Sequence, residues 1–539
     1  MNDQLLRVRD LRVRFGGTTA VDGIGFDIGP GRCVALVGES GSGKSVTGRS
    51  LLGLAGRSAR VDAAELSLDG RDLRELSERR WRDIRGAEIG LVLQDALVSL
   101  DPLVRVGAQV GDALRVHADV PRAERAQRAT RLLRDVGVPE PDVRAAQYPH
   151  QLSGGLRQRA LIASAIAASP RIIIADEPTT ALDVTVQAQV LALLGRLRED
   201  GAGLLLISHD LAVVGALADE IIVLRDGEVV ERGEAAQVLE QPTAEYTREL
   251  IAAVPSAAVR GARLSPQPVS VFERVDDQRD PRPLDLPALR VSGLSKSFRL
   301  PGGAEIRAVD DVSFTLDRGG ALGVVGESGS GKSTTAAMVL GLVEPDAGSV
   351  ELDGEPWAPL PERRRRSRRR RMQVISQDPL SSFDPRADVA GLIGEALGAV
   401  GVPRSAREAR TVGLLEQVGL SASLLRRHPL QLSGGQRQRV AICRALAVDP
   451  EVLVCDEPVS ALDVSVQAQV LDLLGDLRAQ LGVSFLFISH DLGVIRHVTD
   501  DVAVMRGGRI VERGPTEEVF LDPRDTYTRE LIQAIPVLR

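Results

Sequence analysis

The chain has 539 residues, of which 43% are hydrophobic and 26% are charged, and its net charge is −7. This length exceeds what one ordinary hydrophobic core organises, so two or more domains are expected. The acidic balance argues against a dedicated nucleic-acid-binding protein, which usually has a basic domain. Only three of its 67 basic residues are lysines, namely Lys44, Lys296 and Lys332.

Cysteine content and hydropathy exclude two further classes of protein. Cys33, Cys443 and Cys455 are too few and too scattered for a disulfide framework or a zinc site. Cys443 and Cys455 lie in apolar runs, which predicts buried free thiols. No signal peptide is recognised in the first ten residues, and charged residues interrupt the longest apolar region, 203–224. A protein without a membrane span is therefore predicted.

Four motifs occur twice along the chain, which predicts a tandem duplication of one whole domain. We expect domains at 1–255 and 288–539, joined by an extended linker at 256–287 that is rich in Pro, Arg and Asp. The repeated motifs are GESGSGKS at 38–45 and 326–333, QLSGG at 151–155 and 431–435, DEP at 176–178 and 456–458, and SHDL at 208–211 and 489–492.

Within each copy the pattern is that of an α/β protein. The runs CVALVG, RIIIAD and LLLIS are apolar without alternation, as are ALGVVG, EVLVCD and FLFIS in the second copy. Such runs are typical of strands buried on both faces of a largely parallel sheet. Residues 95–150 and 378–430 are richer in Ala, Arg and Leu at helical spacing. We therefore predict a mixed, mainly parallel sheet with a helical subdomain inserted in each copy.

The first repeated motif, GESGSGKS, fits the phosphate-binding loop G-x-x-x-x-G-K-[ST] between a predicted strand and a predicted helix. Its glycines let backbone N–H groups point at phosphate oxygens, and the helix start adds positive partial charge. Lys44 and Lys332 are predicted to reach the β- and γ-phosphates, and Ser45 and Ser333 to ligate Mg²⁺. The other loop candidates are Gly38, Glu39, Ser40, Gly41, Ser42 and Gly43, with Gly326, Glu327, Ser328, Gly329, Ser330 and Gly331 in the second copy.

Two acids end the next strand of each copy, and a histidine follows the strand after that. Asp176 and Asp456 suit a hold on Mg²⁺, directly or through water. Glu177 and Glu457 are placed to polarise an attacking water. The corresponding histidines are predicted to sense the γ-phosphate; they are His209 and His490.

LSGGLRQR at 152–159 and LSGGQRQR at 432–439, between the phosphate loop and the acid pair, resemble the signature motif of ABC ATPases. The resemblance covers both copies. It implies the Q-loop glutamines Gln94 and Gln377, which also contact Mg²⁺, the D-loop residues Asp183 and Asp463, and the adenine-stacking aromatics Phe15 and Phe298.

The family works as a head-to-tail nucleotide sandwich, so the resemblance implies that the two copies pair within one chain. Each signature would then cap the ATP bound to the other copy, because a serine hydroxyl and glycine N–H groups are donors to a γ-phosphate. Ser153, Gly154 and Gly155 would serve the ATP on Lys332, and Ser433, Gly434 and Gly435 the ATP on Lys44.

One residue departs from the family pattern. The first signature has Leu156 where the second keeps Gln436, so the site around Lys332 is expected to be slightly weaker. Both glutamates and both histidines are present, so we expect two hydrolysing sites. The effect of Leu156, and whether the sites fire together or alternately, are left open by the sequence.

Three classes of ABC protein fit a double ATPase without a membrane span: a transporter ATPase, a ribosome-acting ABC-F factor, and a DNA-repair or chromosome-organising ATPase. The third lacks support, because the chain has no paired CxxC motifs and no long heptad coiled coil. ABC-F proteins have a long charged helical linker, whereas 256–287 is short and contains prolines.

Finer resemblance favours the dipeptide and oligopeptide importers in their fused form. QDALVSLDP at 94–102 and QDPLSSFDP at 377–385 resemble their extended Q-loop, and YTRELIAAVP and YTRELIQAIP resemble their C-terminal extension. This implies two transmembrane permease subunits, an extracytoplasmic solute-binding protein and a peripheral place on the cytoplasmic face of the membrane. Nickel, glutathione or a sugar are alternative solutes. The extensions contain no cysteine, so we predict no iron–sulfur cluster.

A run of arginines, RRRRSRRRR at 363–371, precedes the strand that leads to Gln377. The matching segment of the first copy, 78–94, is less basic. We interpret the run as a solvated basic face; contact with acidic lipid head groups or with nucleic acid are the alternatives.

Overall fold

The computed structural model describes residues 4–94, 99–117, 120–180, 182–267, 271–272, 286–299 and 305–535. These residues form two compact units, the first ending at Ala252 and the second covering Ala253–Ile535. The predicted domain limits at 255 and 288 stay a prediction. Among the described residues, none of the helices combines the length and the apolar character needed to cross a bilayer.

The first unit alternates strands and helices along most of its length. Its strands are β1 Leu6–Phe15, β2 Thr18–Ile28, β3 Cys33–Val37, β4 Ala59–Asp62, β5 Glu65–Leu68, β6 Arg71–Asp72, β7 Ile89–Val92, β8 Ile172–Asp176, β9 Gly203–Ile207, β10 Glu220–Arg225 and β11 Glu228–Glu234. Its helices are α1 Lys44–Ser50, α2 Glu78–Ile84, α3 Val106–His117, α4 Arg122–Asp135, α5 Pro141–Ala145, α6 Gly154–Ala165, α7 Val184–Glu199, α8 Leu211–Leu217, α9 Ala235–Glu240 and α10 Glu245–Ala252.

The second unit repeats this order. Its strands are β12 Leu289–Arg299, β13 Glu305–Leu316, β14 Ala321–Val325, β15 Ala347–Leu352, β16 Glu355–Ala358, β17 Met372–Ile375, β18 Val452–Asp456, β19 Ser484–Ile488, β20 Asp501–Arg506 and β21 Arg509–Pro515. Its helices are α11 Lys332–Val339, α12 Glu362–Arg365, α13 Pro379–Ser382, α14 Val389–Ala399, α15 Arg404–Gln417, α16 Gly434–Leu446, α17 Val464–Leu481, α18 Leu492–Val498, α19 Thr516–Leu521 and α20 Thr526–Gln533.

Each unit is built on a six-stranded sheet, in the order β11-β10-β3-β9-β8-β7 in the first unit and β21-β20-β14-β19-β18-β17 in the second. The strands are parallel except for the outermost hairpin, β10–β11 or β20–β21. A separate antiparallel sheet, led by β1 and β2 or by β12 and β13, completes each core. The α/β prediction with a mixed, mainly parallel sheet is confirmed.

The predicted helical insertion is also present. Helices α3, α4 and α6 pack on one another through buried residues such as Val110, Leu114 and Leu133, and α14, α15 and α16 do the same in the second unit. All three cysteines are buried free thiols, which confirms the prediction for Cys443 and Cys455. Burial raises the pKa of each thiol, that of Cys33 to about 12. The thiols therefore stay protonated and serve as small apolar core residues.

The arginine run is only half solvated. Arg365 is buried, and its guanidinium lies 5.9 Å from the centre of the Trp357 ring. Arg371 forms ion pairs with Asp353 and Glu451 and is 13% exposed. The solvated interpretation is therefore wrong for these two residues and holds for others in the run, including Arg363 and Arg364, which are exposed. Arg365 and Arg371 thus connect the segment that precedes strand β17 to Trp357, Asp353 and Glu451.

Described residues of the 256–287 segment, at 263–265 and 272, contact helix α17; we call the described part of 260–272 the docked segment. The backbone N–H groups of Leu264 and Ser265 each donate to the buried carboxylate of Asp472, at 2.9 Å. Arg263 pairs with Asp476 at 2.8 Å, and the N–H of Phe272 donates to the Gln480 side chain at 2.9 Å. The three acceptors are four residues apart and share one face of α17.

This acidic face belongs to the second copy only. With an offset of 280, the residues of α7 that match Asp472 and Asp476 are Ala192 and Arg196. Helix α7 therefore offers neither carboxylate to such a segment. The docking therefore depends on two sequence differences between helix α17 and the otherwise similar helix α7.

Asp472→Ala should release the docked segment. The change leaves two buried N–H donors and the Ser265 hydroxyl without their acceptor, which costs about 1–3 kcal/mol. Hydrogen exchange followed by mass spectrometry should show faster exchange at Leu264 and Ser265. Asp476→Ala removes the ion pair with Arg263 but keeps the Asp472 acceptor, so it should leave both amides protected. Unchanged exchange in Asp472→Ala would show that another contact holds the segment.

Candidate active site

The phosphate loops follow the central strands β3 and β14, and glycine is sterically required at both ends of each. Gly38 has φ 149°, and a Cβ there would lie 2.1 Å from the carbonyl oxygen of Leu224. Gly43 has φ 96°, and a Cβ there would lie 2.5 Å from the carbonyl oxygen of Ala20. The second loop repeats these two contacts at Gly326 and Gly331. Any side chain at these positions would push the loop out of shape.

The loop lysines fold back onto their own loops. Lys44 is 5% exposed, and its Nζ lies 2.7 Å from the carbonyl oxygens of both Gly38 and Glu39. Lys332 Nζ lies 2.7 Å from Gly326 O and 2.9 Å from Glu327 O. A buried ammonium group is thus held among loop carbonyls, next to the start of a helix, where the backbone favours an anion.

The first acid of each pair has one oxygen available to a cation. In the first unit Ser45 Oγ donates to Asp176 Oδ1 at 2.8 Å. Within the described residues, Asp176 Oδ2 and Asp456 Oδ1 are buried without a hydrogen-bond partner. Burial, with the neighbouring glutamate, raises the pKa of both aspartates. A divalent cation beside Ser45 and Asp176 would satisfy the orphaned oxygen and favour the charged carboxylate, so these residues fit Mg²⁺.

The second acid of each pair is fixed by three strands of the sheet. Glu177 has φ 48°, and its Oε2 accepts hydrogen bonds from Gln94 Nε2 at 2.7 Å and from Thr180 Oγ1 at 2.9 Å. Its Oε1 lies 3.2 Å from His209 Nδ1. A positive φ is uncommon for glutamate, and such strain is concentrated at functional sites. The structure thus brings the predicted glutamine, glutamate and histidine into one cluster.

The same cluster recurs in the second unit. Gln377 Nε2 donates to Glu457 Oε2 at 2.7 Å, and His490 Nδ1 lies 3.1 Å from Glu457 Oε1. Glu457 has φ 49°. Ser460, which replaces Thr180, donates to the backbone oxygen of Glu457 at 3.2 Å. The sequence reasoning did not select Thr180 or Ser460, although both stand three residues after a predicted base.

Burial and hydrogen bonding act in opposite directions on the pKa of these glutamates. Burial raises the pKa of Glu177, but the hydrogen bond and charge of His209, with smaller help from Thr180 and Lys44, leave it below its usual value. Burial lowers the pKa of His209, and Glu177 outweighs this and raises it. Glu457 and His490 behave alike. Each pair therefore favours an ionised carboxylate, the form that accepts a proton from water.

His209→Ala should move the acidic limb of the kcat/KM profile to higher pH. His209 lowers the pKa of Glu177, so without it burial dominates and the base needs a higher pH to ionise. The measurement is the pH profile of ATP hydrolysis in a Glu457→Gln background, where the first unit supplies the remaining turnover. The parent Glu457→Gln variant is the reference. An unshifted limb with a lower rate would show that His209 acts without tuning Glu177.

The signature residues begin the helices α6 and α16. Ser153 caps α6 through the N–H of Leu156 at 3.4 Å, and Ser433 caps α16 through the N–H of Gln436 at 3.3 Å. In the second unit the Gln436 side chain also accepts the N–H of Ser433 at 3.0 Å, which completes a capping box. Leu156 has no side-chain acceptor, so α6 lacks this second hydrogen bond. The structural effect of leucine at position 156 is therefore the loss of one capping hydrogen bond at the start of α6.

The D-loop aspartates are helix caps, and the two aromatics lie at strand ends. Asp183 accepts the N–H of Val186 at 2.9 Å at the start of α7, and Asp463 does the same in α17 at 3.0 Å. Phe15 ends β1 and is half-buried. Phe298, near the end of β12, is 42% exposed and lies under Lys296, with 5.9 Å between Nζ and the ring centre.

Each unit therefore combines a phosphate loop, an ionised glutamate at the end of one parallel strand and a histidine after the neighbouring strand. Together these features define a nucleoside triphosphatase domain. The family described as ABC transporter matches residues 21–180 and 309–460. The family described as oligopeptide/dipeptide transporter, C-terminal region, matches residues 230–276 and 511–539.

Proteins of known class match almost the whole chain. The oligopeptide transport ATP-binding protein OppD of Mycobacterium tuberculosis is 41% identical over 99% of this chain and 98% of its own length. The peptidoglycan transport ATP-binding protein YejF of Agrobacterium fabrum is 44% identical over 98% of this chain and 96% of its own. The glutathione import ATP-binding protein GsiA of Escherichia coli is 41% identical over 99% of this chain and 90% of its own.

The chain belongs to the ABC transporter family, as an ATP-binding protein with two ATPase domains that both carry the oligopeptide/dipeptide C-terminal region. It binds ATP and couples ATP hydrolysis to transport, in company with membrane permease subunits. The prediction that the chain is a transporter ATPase in the fused form is confirmed.

Proposed function

We propose that the chain powers the import of dipeptides or oligopeptides through two permease subunits that receive the solute from an extracytoplasmic binding protein. The observation that supports this most is that two segments, 230–276 and 511–539, match the oligopeptide/dipeptide C-terminal region. Two of the relatives above are named for the transport of oligopeptides and of peptidoglycan. Glutathione, itself a small peptide, is the second candidate, because the relative named for its import covers 99% of this chain.

The geometry of each site supports a direct role for its residues in ATP hydrolysis. Lys44 is positioned to leave the loop carbonyls for the β- and γ-phosphates when ATP enters. Glu177 takes a proton from the attacking water, and Gln94 and Thr180 orient that carboxylate. His209 keeps Glu177 ionised and is the candidate donor to the γ-phosphate. The corresponding residues of the second unit take the same roles.

Mg²⁺ is the metal that suits the aspartate carboxylate and the serine hydroxyl beside each phosphate loop. Ser45 and Asp176 in the first unit, and Ser333 and Asp456 in the second, would hold it, with Gln94 and Gln377 nearby. When bound, the ion would neutralise charge on the β- and γ-phosphates. We propose no iron–sulfur cluster, because the three cysteines lie in the cores rather than in the C-terminal regions.

The two units are proposed to pair head to tail, with each signature completing the site of the other unit. Variants with one active site test this. In a Glu177→Gln background the remaining turnover should fall on Ser153→Ala and be less sensitive to Ser433→Ala. In a Glu457→Gln background the order should reverse. Equal effects of both serine changes in both backgrounds would contradict the pairing.

A groove in the first unit supports docking of a permease. Side chains of the sheet and of helix α3 line a cavity of about 400 Å³. Leu54 and Val116 line it and are 42% and 57% exposed. Exposed apolar side chains in a concave site mark interaction surfaces. We propose that a permease segment packs there, which would place the chain peripherally on the cytoplasmic face of the membrane.

Reconstitution tests the solute. The chain is purified with candidate permeases and a candidate binding protein, sought among the products of the neighbouring genes, and is placed in proteoliposomes. ATP-dependent uptake of labelled tripeptide and pentapeptide is compared with uptake of glutathione, Ni²⁺ and a disaccharide. Peptide uptake that Glu177→Gln plus Glu457→Gln abolishes supports the proposal. Uptake of another solute alone, or co-purification of the chain with ribosomes instead of permeases, would contradict it.

A further inference from the structure

A tyrosine from the C-terminal helix of each unit contacts the phosphate loop. The backbone N–H of Glu39 donates to the hydroxyl of Tyr246 at 3.3 Å. In the second unit the N–H of Glu327 donates to the hydroxyl of Tyr527 at 3.0 Å. Tyr246 lies in α10 and Tyr527 in α20, which are 207 and 200 residues along the chain from the loop residues they contact. The contact thus recurs between corresponding residues of the two copies.

Both tyrosine rings are held in one position. Tyr246 is 6% exposed and Tyr527 is 3% exposed. The guanidinium of Arg225 lies 4.8 Å from the centre of the Tyr246 ring, and that of Arg506 lies 4.7 Å from the Tyr527 ring. A cation over an aromatic face is attracted to it, and a buried tyrosine has only two side-chain dihedrals to order. The hydroxyl therefore points at the loop with little freedom.

The strand that carries each arginine also packs against the loop. A Cβ on Gly38 would lie 2.1 Å from the carbonyl oxygen of Leu224, the residue before Arg225. In the second unit the same distance, from Gly326 to Met505, is 2.2 Å. The loop therefore begins between a strand end and a tyrosine hydroxyl. Its second residue is held twice, since Glu39 donates its N–H to Tyr246 and accepts Lys44 Nζ on its carbonyl.

The C-terminal helices are themselves anchored at their starts. The carboxylate of Glu231, on β11, accepts the N–H and the hydroxyl of Thr243 at 2.7 Å and the N–H of Ala244 at 3.1 Å. Glu512, on β21, accepts the N–H groups of Arg524 and Asp525 at 2.8 and 3.1 Å. Each tyrosine is therefore linked to the main sheet through its own helix, so its hydroxyl is a fixed point for the loop.

We propose that Tyr246 and Tyr527 are positioning residues that hold the start of the phosphate loops in the shape that binds ATP. The C-terminal regions matched by the oligopeptide/dipeptide family thereby form part of the nucleotide sites. This inference rests on the proposed role of the loops in binding ATP. The proposed action of the tyrosines is through the backbone of Glu39 and Glu327.

Tyr246→Phe and Tyr527→Phe test this, because phenylalanine keeps the ring and its packing and removes only the hydroxyl. We expect the dissociation constant for a fluorescent ATP analogue to rise about three- to tenfold at the affected site, the range for one lost hydrogen bond. The titration uses the Glu177→Gln, Glu457→Gln protein, which binds without turnover. In the otherwise intact protein, KM should rise by a similar factor and kcat should change less than about twofold.

Hydrogen exchange supplies a readout that a general loss of stability would not give. The amide of Glu39 should exchange faster in Tyr246→Phe and that of Glu327 in Tyr527→Phe, with the core strands β3 and β14 unchanged. Tyr148→Phe is the matched control, since Tyr148 is the third tyrosine and stacks on His150 in the first unit, with 5.7 Å between ring centres. It should leave ATP affinity and loop exchange unchanged.

Two outcomes overturn the proposal. One is unchanged ATP affinity in both tyrosine variants while Lys44→Ala weakens binding; the loops then bind ATP without needing the hydroxyls. The other is faster exchange of Glu39 and Glu327 with unchanged affinity, which would make the contact structural only. If Lys44→Ala itself left binding unchanged, the loop would not be the nucleotide site, and the proposed function would fail instead.

Discussion

Replacing Glu457 by glutamine is expected to remove about half or more of the ATP turnover, and replacing Glu177 as well should lower it by about 10²- to 10⁴-fold. Glutamine has the shape of glutamate, so the hydrogen bonds from Gln377 and from Gln94 can be kept at one oxygen. An amide cannot take a proton from water, however. Substrate binding should survive, and only the chemical step should be lost.

The measurement is steady-state phosphate release with ATP binding followed in parallel. Each single variant should lose turnover, because Glu177 and Glu457 both have a left-handed backbone and each has a histidine partner in its own unit. If the sites act alternately, either single change should stop the cycle almost completely. If Glu457→Gln had the full activity of the unchanged protein, the second unit would be a binding site without hydrolysis, and the expectation of two hydrolysing sites would be wrong.

Lys44→Ala should weaken ATP binding to the first unit by about 10²-fold or more, the scale for removing one charged donor from a preorganised site. The Lys44 ammonium group is buried and also closes the loop through the carbonyls of Gly38 and Glu39. Its loss removes both the positive charge and this restraint. Lys332→Ala should do the same in the second unit.

Titration with a fluorescent ATP analogue in the Glu177→Gln, Glu457→Gln background would resolve one lost site in each single lysine variant. Arg290→Ala, which removes a half-exposed arginine from β12, is a suitable control for loss of positive charge. Circular dichroism would establish that the α/β fold is intact. Two full-affinity sites in Lys44→Ala would contradict the assignment of the loop.

The sequence was sufficient to predict the parts of the site that depend on local pattern. The phosphate loop is a contiguous stretch, and the acid pairs and histidines end uninterrupted apolar runs that become adjacent parallel strands. Because the carboxyl ends of such strands share one edge, Glu177 and His209 could be expected to meet. The clusters around Glu177 and Glu457 follow from topology alone.

Other contacts depend on residues that are distant in the chain and have no local signature. The hydroxyl of Tyr246 reaches Glu39 only after β10 and β11 have brought α10 beside the loop. The composition of 256–287 indicated a linker, yet Leu264 and Ser265 lie on Asp472, whose buried carboxylate looks like any other helical acid in the sequence. Likewise, nothing local distinguishes Arg371, which is paired internally, from its exposed neighbours.

The docked segment fixes which copy must come first in the polypeptide. It leaves the end of the first copy and finds Asp472 and Asp476 on the helix of the second, where the first copy has Ala192 and Arg196. A protein assembled from two first copies would offer the segment no carboxylate, and a chain with the copies in reverse order would separate the segment from its helix. The two halves are therefore not interchangeable. A version of this chain that is split or circularly permuted should keep residues 260–272 attached to the second half.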